Sequence, residues 1–132
     1  MPNSPPKYAQ LPHAFRRIRM ELARERGHPE GSSKDGYELI APLDEHGRIE
    51  PTLWRKYRHA CGVRRFRAGQ DDELGHLVRR RGGWAFHYDE LGEEEDETGY
   101  RFESERFEVG EYVSIQEGAV QHTYRVVAVG PV

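Results

Sequence analysis

The side chains best placed to do chemistry together are two histidines and an aspartate in one short segment. Leu74–Arg79 and Trp84–Asp89 alternate apolar and polar residues around Arg80-Arg81-Gly82-Gly83, a pattern that predicts a β-hairpin. With Arg81-Gly82 as a two-residue turn, or Arg80–Gly83 as a four-residue loop, His76 lies opposite His87. With Gly82-Gly83 as the turn it lies opposite Asp89. Either register puts His76, His87 and Asp89 on one face, because strand side chains alternate sides. Imidazole and carboxylate groups bind zinc, iron and similar ions, so this face is a candidate divalent-metal site. The acidic run Glu93–Asp96 is a further source of oxygen ligands. The plain alternative is that these polar residues face solvent or hydrogen-bond across the strands. The other face gathers Leu77, Trp84, Phe86 and Tyr88, a core-facing set.

The second candidate is basic. Arg64, Arg65, Arg67, Arg79, Arg80 and Arg81, with Arg55, Lys56 and Arg58 before them, are expected to contact nucleic-acid phosphates or a partner if they share a surface. Base stacking also needs exposed aromatic rings, and most rings here alternate as core residues do. The net charge of −3 hides segregation: residues 1–26 and 55–88 are net positive, 27–54 and 89–117 net negative. Such blocks either form interaction surfaces or pair within the fold.

Catalytic signatures are missing. The chain has no G-x-x-x-x-G-K-[ST], no G-x-G-x-x-G and no G-x-S-x-G. Cys61 is the single cysteine, so no intrachain disulfide framework or multi-cysteine zinc site forms. Its neighbour His59 points elsewhere on a helix, and Cys61 reads as a small apolar residue. The N-terminus lacks the apolar run of a signal peptide, and no stretch of about 18 apolar residues spans a membrane. A cytoplasmic protein without membrane attachment is expected. The functional expectation is a non-catalytic module that contacts a protein partner through its charged faces. A nucleic-acid-binding small barrel and a metal-binding protein are the alternatives.

These residues need elements to position them. Residues 1–10 are Pro-rich and polar and are expected to be a disordered tail. Leu11, Phe15, Ile18 and Leu22 recur at helical steps, predicting an amphipathic helix over 11–26 that docks on the domain or pairs two copies as a homodimer. Residues 27–36 read as a linker, and 37–132 as the β-rich domain. Within it Tyr37–Leu43 is a strand, and a helix runs from Pro51 to before Gly62. After the first hairpin come Tyr100–Phe107, then Tyr112–Glu117 and His122–Val129 around Gly118. The fold class is α+β, mostly β: a small antiparallel barrel or curled sheet with one covering helix and the N-terminal helix in front. The core candidates are Trp54, Tyr57, Leu77, Trp84, Phe86, Tyr88, Val113, Ile115 and one of Val126 and Val127.

The stretch F-E-V-G-E-Y-V-S-I…H-T-Y-R-V-V-A-V, Phe107 to Val129, resembles the closing strands of SH3-like and PUA-like small barrels. That resemblance implies architecture, not activity. Tyr37–Val129, with G-H-L-V, G-W-A-F-H-Y-D, E-D-E-T-G-Y-R-F and G-E-Y-V-S-I, is similar to a group of small uncharacterised bacterial proteins, which implies no site residues.

Overall fold

The computed structural model describes residues 11–81, 83–90 and 95–132. Eight antiparallel strands close into a barrel in sequence order: β1 (Phe15–Leu22), β2 (Ser32–Pro42), β3 (Gly62–Phe66), β4 (Glu73–Arg80), β5 (Gly83–Tyr88), β6 (Glu97–Tyr100), β7 (Tyr112–Glu117) and β8 (Val120–Pro131). Strand β1 pairs with β2 on one side and β8 on the other, so among the described strands no edge is left unpaired. One short helix, α1 (Pro51–Tyr57), runs into a single 3₁₀ turn at Arg58–Ala60. Its start is set locally: Pro51 lacks the N–H that a first turn leaves unpaired, and the Glu50 carboxylate accepts from the Thr52 and Leu53 amides.

The expected helix over 11–26 is corrected by strand β1. Leu11, Phe15, Ile18 and Leu22 fit a helical stripe, but Ile18, Met20 and Leu22 also fit period two, and all three are buried. Met20 decides between them, because it falls off the helical stripe yet is fully enclosed. Pairing on both sides satisfies the backbone of β1 and buries its apolar face within the same barrel, which outweighs local helix preference. The proposed dimer through an N-terminal helix loses its basis with that helix. The expected linker is likewise shorter, since β2 begins at Ser32. The expected tail, residues 1–10, lies outside the described residues.

The interior is solid. An eight-stranded barrel is just wide enough to be filled by its own side chains. Trp54 of α1 plugs one end, its indole N–H donating to the Leu77 carbonyl at 2.9 Å and its ring edge-on to Trp84 at 5.1 Å. Below it lie Ile18, Leu39, Val63, Phe86 and Ile115, all buried. Of the core candidates, Val126 rather than Val127 is enclosed, and Tyr57 is only partly buried against the cluster. The expected strand Tyr100–Phe107 is also corrected: β6 ends at Tyr100, and the chain turns at Arg101 so that Phe102 folds back inside against Phe86 and Phe107. Gly99 permits this, because a Cβ there would stand 2.4 Å from the Phe102 ring.

The outer wall carries charge: Arg17, Arg19 and Glu38 project there with Arg64. This is the opposite of the apolar outer band of a membrane-spanning barrel. No helix among the described residues is long and apolar enough to cross a membrane.

Candidate functional site

The hairpin register is the one with His76 opposite His87 across β4 and β5. The two imidazoles nonetheless turn to separate partners. His76 Nδ1 lies 3.2 Å from Asp89 Oδ1, and His87 Nδ1 lies 2.7 Å from Asp96 Oδ1. Asp96 also accepts from Arg80 Nε at 3.0 Å. The acidic run thus reaches the histidine face through Asp96, while Glu93 and Glu94 lie outside the described residues. Among the described residues no three His, Cys, Asp or Glu side chains converge to hold a metal ion.

The six arginines do not form one stripe; strand parity divides them. Arg64 points outward and pairs with Glu38 and Asp72 at 2.9 and 2.8 Å. Burial works against the charge of Glu38, but the Arg64 and Arg19 guanidiniums prevail and hold its carboxyl below the usual range. Arg65 points inward beside Tyr37, as the β2–β3 register requires. It meets Glu97 and, at 2.6 Å, Glu73. Arg67 follows the same parity and pairs with Glu117.

These inward arginines belong to a buried polar network at the end of the barrel opposite α1. Glu97 is only 3% exposed. Its Oε1 accepts from the Tyr37 hydroxyl at 2.7 Å and the Tyr88 hydroxyl at 2.5 Å, and its Oε2 from Arg65. Glu117 accepts from the Tyr124 hydroxyl and from Arg67. Burial, reinforced by the neighbouring carboxylates, pushes the Tyr37, Tyr88 and Tyr124 phenols well above their ordinary value. Burial also disfavours the Arg65 cation, but Glu97 outweighs it and keeps the guanidinium charged. Every carboxylate oxygen of Glu97 and Glu117 is engaged, while Glu73 Oε2 is buried without a hydrogen-bond partner among the described residues; the network ties Arg65 and Arg67 to these carboxylates.

One group of the remaining cations lies on α1 and around the β4–β5 turn, while Arg24, Lys34 and Arg125, also without an ion pair among the described residues, line a separate cleft. Arg55, Lys56, Arg58, Arg79 and Arg81 make no ion pair among the described residues. Arg79 instead lies over the Trp84 ring, 4.2 Å from its centroid. Two clefts open between these groups. One, of about 510 Å³, is lined by Trp54, Arg58, His59, Leu77, Arg79 and Arg80 among others. The other, of about 870 Å³, lies on the outer wall among Arg80, Arg81, Ala85, Thr98, Tyr100 and Arg101. Arg80 borders both, so the two clefts adjoin.

Sequence reasoning missed Tyr100 and Arg101 here. Tyr100 is 46% exposed, with Arg101 over its ring at 5.1 Å. The readable signal was T-G-Y-R: a glycine and a cation flanking a tyrosine, at the end of a run too acidic to be read as a strand.

Cations without ion pairs around open clefts can hold negative charge. Comparison with family models, curated proteins and solved structures yields no match.

Proposed function

We propose that this protein is a non-catalytic binding module that holds a polyanionic partner against the helix-capped end of its barrel. The observation that carries the reading is the split among its cations. Arg64, Arg65 and Arg67 are neutralised by carboxylates, while Arg55, Lys56, Arg58, Arg79 and Arg81 are left without acidic partners on one surface among the described residues. Placing like charges together without counterions is unfavourable for the free protein and is relieved when an anion binds. The role is placed in the cytoplasm of a bacterial cell, and the likeness of the closing strands to SH3-like and PUA-like barrels bears on architecture alone.

Heparin-agarose supplies a test with a generic polyanion. At a net charge of −3 the whole chain has no reason to be retained, so retention must come from a local patch. Wild-type protein is expected to bind at low salt. Arg58→Glu combined with Arg81→Glu, both at exposed positions, is expected to elute at clearly lower salt with an unchanged circular dichroism spectrum. Equal elution of the two proteins, or no retention of the wild type, refutes the reading.

A further inference from the structure

Resting on that reading, the geometry points to single-stranded nucleic acid as the polyanion, with a base stacked on Tyr100 and flanking phosphates held by Arg81 and Arg101. Three observations meet in the 870 Å³ cleft. The first is Tyr100, one of the few large apolar rings that the barrel leaves exposed, on the outward side of β6 with Thr98. A half-exposed ring beside cations is the arrangement that binds unpaired bases, since every base presents a π-face. A duplex hides those faces, which separates single strands from double strands. An acidic peptide has no use for the ring.

The second observation is backbone conformation. Among the described residues the non-glycine positions with positive φ are Arg81 (50°) and Arg101 (53°), and both line this cleft. Glycine adopts that region without penalty, whereas an L-residue with a side chain is disfavoured there. Arginine at both turns brings two cations to the lining of one cleft, at positions where glycine would adopt the same backbone at lower cost. The third is electrostatic. Of the two carboxylates lining the cleft among the described residues, Asp96 is engaged by Arg80 and His87, which leaves Glu103 against Arg81 and Arg101. The strand can then continue past Arg80 to Arg79 and Arg58 in the adjoining cleft.

The test is fluorescence anisotropy with a labelled oligothymidylate of about 12 nucleotides, a length within the range of one small-barrel site. Its RNA counterpart, the matching duplex and polyglutamate serve as competitors. Either single strand is expected to displace the probe better than duplex or polyglutamate. Tyr100→Ala should weaken binding by roughly tenfold or more, while Tyr100→Phe retains it, because the ring and not the hydroxyl does the stacking. Arg81→Gly with Arg101→Gly should flatten the logarithmic salt slope by about 1.4, at about 0.7 for each phosphate no longer neutralised. The same pair should hold or raise the melting temperature, since glycine relieves both turns, so weaker binding is not unfolding. Three results overturn the inference: no binding at micromolar protein and low salt, undiminished affinity in Tyr100→Ala, or competition by polyglutamate equal to that of oligothymidylate. The last, together with retention on heparin, leaves the polyanion-binding reading standing and identifies an acidic protein as the partner.

Discussion

Replacing Glu97 by glutamine removes one oxygen and one charge from the most enclosed carboxylate in the barrel. The amide oxygen can still accept from Tyr37 and Tyr88, as Oε1 does now. The new amide N–H₂ then faces the Arg65 guanidinium, donor against donor, where Oε2 now accepts. Arg65 is left with Glu73 alone, whose side chain is 38% exposed and therefore a weaker partner. Breaking a buried pair by removing one member costs about 3–5 kcal/mol. The surviving Glu73 pair puts Glu97→Gln near the lower end, about 3 kcal/mol. Total stabilities of domains are about 5–15 kcal/mol, so the variant folds but is much weakened. Urea unfolding followed by tryptophan fluorescence reads this directly. With a slope of about 1–3 kcal/mol per molar urea, the midpoint should fall by roughly 1–3 M. Tyr37→Phe is the internal comparison. It removes one hydrogen bond and should cost about 1 kcal/mol, leaving Tyr88 on the same oxygen. A Glu97→Gln midpoint no lower than that of Tyr37→Phe would show that the interior network carries no special share of the stability.

Two other predictions concern titration and reactivity. The folded-state values of Tyr37, Tyr88 and Tyr124 are raised above the ordinary 10.0, so the native state holds three protons that the unfolded chain releases. Their stabilising contribution is complete below pH about 10 and is lost as pH rises beyond it, so alkaline unfolding and ionisation of these phenols at 295 nm should coincide; phenolate absorbance from them in a still-folded barrel would contradict this. Burial pushes the Cys61 thiol up to about 12, and the residue is fully enclosed, so a thiol-reactive dye should label it at pH 8 only as fast as the barrel opens.

Parity made part of this molecule readable in advance. The β4–β5 hairpin follows from alternation around its turn, with Trp84, Phe86 and Tyr88 inward, and β7–β8 follows in the same way. The helix start is written in Glu50-Pro51. What escaped was set by long-range pairing. β1 fits two periods equally well until β8 closes against it. Glu97 looked like the tail of a solvated acidic run, and Arg65 and Arg67 like surface cations, because nothing local says that Tyr37, Arg65 and Glu97 share an interior. Alternation from Val63 does place Arg65 on the core side, but an inward arginine becomes acceptable only when its carboxylate, more than thirty residues later, is known. The same limit applies to the basic clefts, where Arg58 meets Arg79, and Arg81 meets Arg101, only after closure.

The seam between the first and last strands has a consequence for biosynthesis. Met20 meets Val126, and Leu22 meets Tyr124, across almost the whole length of the chain. Until β8 leaves the ribosome, β1 has one bare flank and the core one missing wall. Topologies dominated by such distant pairings fold slowly, because loop closure must come before the pairing that rewards it. The nascent protein should therefore stay vulnerable to chaperones and proteases until β8 emerges, and trimming β8 should abolish the barrel rather than merely shorten it.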